Sequence, residues 1–346
     1  MTISTKKKLL FTLIIWLVIF GLLEATARIY YWSKAERKAR ESEQYNRAAM
    51  FIPHPYCTYV GNPEYPGHTP QGFRGSVVYG REHKAFRIVC LGGSSTYDTQ
   101  VSEPDSYPRQ LEGLLAKELP QGVEVINAGL GGYCTANIIP LLSLRIVELK
   151  PQLAIFYVGF NDAFNRIHYA DFKWDYTHAQ KSWEMPRVPL WRRSRALDRA
   201  AEMLGSPSPY NPHVHMVCWN PLKGDPVENW KNSSGEPFRN NLVTLVGICR
   251  AHGITPVFCT QATDFQNHPV EGCNDVWAQA MGEQMCALRQ VMAELKVDVI
   301  DVAVPMSNKS DYFADCLHMT KEGNVERARI IAAYLKEHGL LRPQGD

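Results

Sequence analysis

The chain lacks most of the signals that would assign it quickly. Among its 346 residues there is no C-x-x-C pair, no complete G-x-G-x-x-G and no G-x-x-x-x-G-K-[ST]. Zinc-ribbon, thioredoxin-like and P-loop chemistry are therefore poorly supported. Charge of one sign is also missing. The net charge is +2 and the pI near 8.0, without the strongly basic face that a nucleic-acid partner calls for. Neither an internal repeat nor a low-complexity tract interrupts the chain. What is left is an ordinary globular composition, 45% hydrophobic and 21% charged, with ample core for one large domain. Nine cysteines is an odd number, so at least one has no partner within the chain. Cys90 and Cys259 fall in predicted strands, and Cys249 and Cys286 in predicted helices, where cysteine acts as a small hydrophobe. A bridge between loop cysteines such as Cys218 and Cys273 stays open.

The one long apolar run stands near the N-terminus. Lys6, Lys7 and Lys8 precede fifteen unbroken residues from Leu9 to Leu23, which Glu24 ends. Fifteen is short of the ~20 that span a bilayer and sits at the upper edge of a signal-peptide hydrophobic stretch. Ala25 and Ala27 supply an A-x-A pattern. Two readings follow. One is a cleaved signal, with secretion. The other, adopted here, is an uncleaved anchor over 1–32, extended through Ala25 to Trp32 with aromatic residues at the interface. A buried core helix fits less well, because the run has no polar face. Arg28, Lys34, Arg37, Lys38 and Arg40 outnumber the three preceding lysines and argue against simple export, yet a short basic start before an apolar run is the export pattern. An extracytoplasmic catalytic part is the expectation.

Residues 33–50 read as a charged helical stalk, and 51–85, rich in Pro, Gly, Tyr and His, as an extended lead-in packed on the domain. From Phe86 the pattern becomes regular. Strand-length apolar runs at 86–91, 123–127, 153–158, 254–259 and 297–304 alternate with helical patterns at 107–119, 136–149, 238–251, 275–296 and 321–338. That alternation predicts a single α/β domain over 86–341, with five parallel strands covered by helices on both faces. One interval, about 163–236, is far longer than a crossover needs. It holds Trp174, Trp183, Trp191, Trp219 and Trp230, five of the eight tryptophans. It reads as a cap or a set of long loops over the C-terminal edge of the sheet.

In an open parallel sheet the ligand crevice lies beyond the carboxyl ends of the strands. "GGSST" follows the first strand and places Ser94 at a turn into a helix. "NAGLGG" follows the second and ends in Gly132, "GFND" follows the third with Asn161, and "DCLH" follows the fifth with Asp315 and His318. These residue types fit the separate needs of acyl transfer. A serine hydroxyl needs a neighbouring base, for which His318 serves. The imidazole needs a carboxylate, Asp315, to hold its tautomer. The tetrahedral intermediate needs donors, available from the backbone N–H of Ser94, the backbone N–H of Gly132 and the side-chain amide of Asn161. Each piece alone has a duller reading, as a turn or a helix cap; the argument rests on their co-occurrence in order. A phosphate or flavin on a helix N-terminus is the rival. A metal site at His213 and His215 lacks a third ligand at suggestive spacing. Cys316, between Asp315 and His318, reads as inert, and Asp162 as a brace for its loop.

The four blocks, in this order on this framework, resemble those of the SGNH (GDSL-type) hydrolases. The resemblance covers about 86–338 without the insertion. It implies a flavodoxin-like three-layer α/β/α sandwich, Ser94 as nucleophile, Gly132 and Asn161 as oxyanion donors, Asp315 and His318 completing the triad, and no cofactor. The usual Gly-Asp-Ser reads Gly92-Gly93-Ser94 here, which spares the chemistry but loosens subfamily and substrate. The expected activity is a serine esterase acting on O-acyl groups of a carbohydrate, cell-surface polymer or lipid. An O-acyltransferase, a lysophospholipase or thioesterase, and a silent binding module are the alternatives.

Overall fold

The computed structural model describes residues 4–45, 50–77, 79–179, 189–205, 224–270 and 274–342. The positions Trp183, His213, His215, Cys218, Trp219 and Cys273 lie outside them. In chain order the main elements are α1 (Thr5–Tyr45), β1 (Phe51–His54), β2 (Thr58–Gly61), β3 (Phe86–Gly92), α2 (Ser94–Tyr97), α3 (Tyr107–Leu115), β4 (Val123–Asn127), α4 (Thr135–Leu141), β5 (Leu153–Tyr157), α5 (Phe160–His168) and α6 (Arg195–Met203). There follow α7 (Pro226–Asn232), α8 (Glu236–Ala251), β6 (Thr255–Cys259), α9 (Asn274–Leu295), β7 (Asp298–Ile300), α10 (Ala303–Met306) and α11 (Lys321–Glu337). They group into two compact units, one of 1–50 with 182–217 and one of 51–181 with 218–346.

The larger unit is built on a five-stranded sheet in the order β4-β3-β5-β6-β7, all parallel. This is the flavodoxin-like doubly wound order, whose direction of winding reverses beside β3. Strand side chains alternate between faces, and the two cores follow that alternation. Val89, Leu91, Ile126, Ala154, Phe156 and Phe258 join one core with residues of α4, α8 and α9. Ile88, Cys90, Val125, Leu153, Ile155 and Val257 join the other with residues of α3 and α11. Burial on both faces is why the strands read as unbroken apolar runs rather than alternating ones.

Local differences from the sequence expectation have physical causes. The run 297–304 is strand only to Ile300. Asp301 turns outward to bond Thr260 Oγ1 at 2.7 Å, and a short helix follows. The helix expected over 136–149 is α4, then a π-turn at Leu142–Ile146 and a 3₁₀ turn at Val147–Leu149. Pro140, inside α4, lacks the N–H that a regular ladder would use there. Of the cysteines expected to pack as hydrophobes, Cys90, Cys249 and Cys259 are buried and Cys286 is exposed on α9. In the lead-in, β1 and β2 form an antiparallel hairpin. Trp230 is buried beneath the Arg166 guanidinium, 3.5 Å from its ring centre, whereas Trp174 is exposed.

One buried cation ties α11 to the exit of β3. Arg327 is fully buried and pairs with Asp98 at 2.8 Å. It also donates to Ser95 O at 2.8 Å and lies over the rings of Tyr107 and Tyr157. Removing one partner of such a pair strands the other charge, at a cost of about 3–5 kcal/mol. Arg327→Ala is therefore expected to lower the urea unfolding free energy by about that amount; a loss below about 1 kcal/mol would contradict this account of the pair.

Candidate active site

The turn after β3 is shaped by what its glycines leave out. A Cβ on Gly92 would lie 2.3 Å from Thr96 Oγ1 and 2.5 Å from Tyr157 O, so no side chain fits at the strand's end. A Cβ on Gly93 would lie 2.3 Å from Asn161 Nδ2. The Asn161 amide occupies the space that a side chain at position 93 would enter. Ser94 then opens α2, with its side chain partly exposed at the sheet's C-terminal rim.

Across that rim stands the loop between β7 and α11. His318 Nε2 is 2.7 Å from Ser94 Oγ, joining residues 224 apart in sequence. His318 Nδ1 is 2.7 Å from Asp315 Oδ2. Asp315 Oδ1 accepts the backbone N–H groups of Leu317 at 2.9 Å and His318 at 2.7 Å. The carboxylate therefore fixes both the ring and the turn that carries it. Partial burial works against the charge on Asp315, but the bonds from the His318 side chain and backbone and from Leu317 outweigh it. They hold its pKa down at about 2. The Cys316 thiol goes the other way, raised by burial and by the adjacent Asp315 to about 11. A thiolate nucleophile there is disfavoured.

Three elements position Asn161 and Gly132. Asn161 Nδ2 donates to Tyr133 O at 2.8 Å, which sets the amide against Gly93 and beside the 131–133 loop. Gly132 has φ +80°, a left-handed conformation open to glycine, and is exposed. The β1–β2 hairpin clamps that loop: the Tyr59 hydroxyl donates to Gly131 O, and the Tyr133 hydroxyl lies 2.7 Å from Cys57 O. Gln261 accepts the N–H of Phe160 at 2.8 Å and reaches Ser95 Oγ at 3.4 Å, linking the Asn161 turn to the serine turn. Asp162 is fully buried. It accepts from Thr135 Oγ1 at 2.5 Å, from Thr135 N and from Tyr176 Oη at 3.0 Å. It thereby joins the start of α5 to the start of α4.

All of Ser94, His318, Asp315, Gly132 and Asn161 thus stand on the same edge of the sheet. Sequence reasoning missed Tyr59, Tyr133, Gln261, Thr135 and Arg327, whose partners lie far away along the chain. Only the Pro-, Gly-, Tyr- and His-rich composition of 51–85 hinted that the lead-in packed on the domain. Among the described residues no group of three or more His, Cys, Asp or Glu is placed to hold a metal ion.

A serine hydroxyl, an imidazole and a carboxylate in line on the C-terminal rim of a parallel α/β sheet define the class of serine-type acyl hydrolases. The family model of GDSL-like lipases and acylhydrolases matches residues 90–325, and the chain belongs to that family, whose members hydrolyse ester bonds. Among solved structures, a lipase/acylhydrolase from Enterococcus faecalis is 20% identical with a TM-score of 0.46, covering 75% of this chain and 99% of that one. The psychrotrophic esterase EstA from Pseudoalteromonas sp. is 12% identical with a TM-score of 0.46, covering 73% and 98%. A comparison with curated proteins found no match.

Asp162 makes a pH-dependent prediction. Burial raises its pKa to about 6 despite the bonds from Thr135 and Tyr176. A raised carboxyl pKa favours the folded state in its protonated form. That contribution is whole below the ordinary value near 3.8 and is lost as pH rises through about 6, on the order of 3 kcal/mol in all. Melting temperature followed from about pH 4 to about pH 7 should fall less for Asp162→Asn than for the wild type. Parallel profiles would contradict the assignment.

Proposed function

We propose that the protein is a membrane-tethered serine esterase that cleaves a carboxylic ester through an acyl-Ser94 intermediate. The observation that carries the proposal is the continuous chain Ser94 Oγ, His318 Nε2, His318 Nδ1, Asp315 Oδ2, with 2.7 Å at both contacts. In this reading the Ser94 oxygen attacks the ester carbonyl carbon while its proton passes to His318 Nε2. The carbonyl electrons move onto oxygen, where the N–H groups of Ser94 and Gly132 and the Asn161 amide stabilise the charge. The intermediate collapses, the alcohol leaves with the proton from His318, and the acyl group stays on Ser94. Water, deprotonated by His318, then attacks the acyl carbon, and the bond to Ser94 Oγ breaks as His318 returns the proton to that oxygen, releasing the acid. Asp315 remains an anion throughout, which its pKa of about 2 supports, and stabilises the imidazolium.

The substrate class assigned is an O-acyl group on a carbohydrate or cell-surface polymer. The site is polar, since Ser94, Gly132, Asn161 and His318 all keep some surface, and it lies in a protein with an apolar N-terminal helix. That helix, Thr5–Tyr30, is long and apolar enough to cross a membrane and has none of its span buried in protein. We assign it as a retained anchor, with the catalytic unit outside the cytoplasm. A reporter fused after Asp346 and active only outside the cytoplasm fits that orientation; cytoplasmic activity contradicts it.

Ser94→Ala should reduce p-nitrophenyl acetate turnover by roughly 10³-fold or more, and Asp315→Asn by roughly 10²–10⁴-fold. Asn161→Ala should lower kcat by roughly 10²–10³-fold with little change in KM, as expected of a donor used only in the transition state. Turnover by Ser94→Ala at the wild-type rate would exclude the mechanism.

A further inference from the structure

We infer that residues 190–204 form a second membrane element, a short amphipathic helix lying in the lipid interface and fastened to the N-terminal span by Glu24. The inference rests on the reading of α1 as a retained anchor.

Within the smaller unit, the one acidic residue that ends the apolar run has a structural task. The Glu24 carboxylate accepts from Ser194 Oγ at 2.7 Å, Arg195 N at 3.2 Å and Ala196 N at 3.1 Å. The two backbone N–H groups are orphan donors of the first turn of α6, where an acceptor is worth most. Arg28, one turn along α1, adds a bond at 2.8 Å to the same carboxylate. Glu24 is thus satisfied by four donors at a depth where an unpaired carboxylate would be costly. A signal segment removed on export would have no reason to cap a helix of the mature chain.

Depth follows from helix geometry. Lys8 and Glu24 are 16 residues apart, or about 24 Å along the axis at 1.5 Å per residue. With the lysines at one face of a hydrocarbon layer about 30 Å thick, Glu24 comes near the opposite boundary. The capped end of α6 is held there too. Tyr30 and Trp32 follow on α1, where interfacial aromatics belong.

The segment leaves its large apolar side chains uncovered. Arg195, Asp198 and Arg199 lie on one face, at spacings of three and four, and Leu197, Ala200, Ala201 and Leu204 on the other. On the polar side Asp198 is 1% exposed and paired with Arg192 at 3.1 Å, Arg195 is half-buried and Arg199 is exposed. The large apolar side chains are exposed, Leu197 at 40%, Met203 at 76% and Leu204 at 87%, together with Leu190 at 74% and Trp191 at 47%. Large apolar side chains left exposed beside a membrane span, with Arg199 exposed next to them, fit a lipid interface. The four arginines of 190–204 against one Asp and one Glu leave two positive charges, suited to anionic headgroups.

The test is carbene labelling of the full-length chain in vesicles of phosphatidylcholine and phosphatidylglycerol that contain a diazirine phospholipid. Adducts are mapped by mass spectrometry. Adducts are expected on 9–23 and also on 190–204. Glu24→Ala should lower those on 190–204 relative to 9–23 by about fivefold, the size of a lost helix cap. Leu197→Glu combined with Leu204→Glu should lower them as far without touching Glu24. Turnover of p-nitrophenyl acetate by each variant reports that the catalytic unit is intact. Wild-type adducts confined to 9–23 would overturn the inference, and equal labelling in Glu24→Ala would overturn the fastening. A mature chain lacking 9–23 in its intact mass would instead overturn the anchor reading on which both depend.

Discussion

The arrangement of the site depends on one buried guanidinium. Ser94 leaves the sheet at the end of β3, and His318 arrives immediately before α11, so nothing local relates them. Arg327, two turns into α11, closes that gap. It holds the carbonyl of Ser95 and the carboxylate of Asp98, both in the short helical turn that Ser94 opens. A helix rotates about 100° per residue, so a one-residue slip of α11 would carry Arg327 out of reach and move His318 with it. Asp98 in turn accepts the Tyr107 N–H at 2.8 Å and brings in α3. The packing of one face of the sheet and the register of the serine–histidine contact are therefore one constraint.

Two carboxylates near the rim show how environment divides labour. Asp315 sits on a partly buried loop, where burial is outweighed by donors that favour its charge and hold its pKa at about 2. Asp162 is buried, and burial dominates its titration although donors surround it. The first suits a group that must stabilise an imidazolium. The second suits a brace, drawing the Gly132 and Asn161 blocks together from beneath. The glycines do the complementary work of clearing space, with Gly93 making room for the Asn161 amide.

Much of this was legible in the sequence, for identifiable reasons. Strands buried on both faces read as short apolar runs bounded by turn residues, and β3 to β6 stand within a residue or so of those runs. The five residues of the candidate site were legible because each lies directly after a strand or before a helix, where order along the chain maps onto position along the rim. Residues that act at a distance were not. Tyr59 on Gly131, Gln261 on Phe160 and Ser95, and Arg327 on Asp98 join segments with no shared periodicity. The hairpin of β1 and β2 was hidden by its Pro- and Tyr-rich composition, and β7 was overread because Val302 to Val304 continue its apolar pattern into a helix. Glu24 looked like a simple stop to the apolar run; its partners lie 170 residues on, in a stretch with weak pattern of its own.

The central claim is that Ser94 is made nucleophilic by His318. The most direct measurement is the site of covalent capture by a fluorophosphonate, read by mass spectrometry of the intact chain and of its peptides. The account predicts one adduct, on Ser94, formed by the wild type and lost when His318 is replaced by alanine. Labelling at another residue, or undiminished capture by Ser94 without His318, would contradict it.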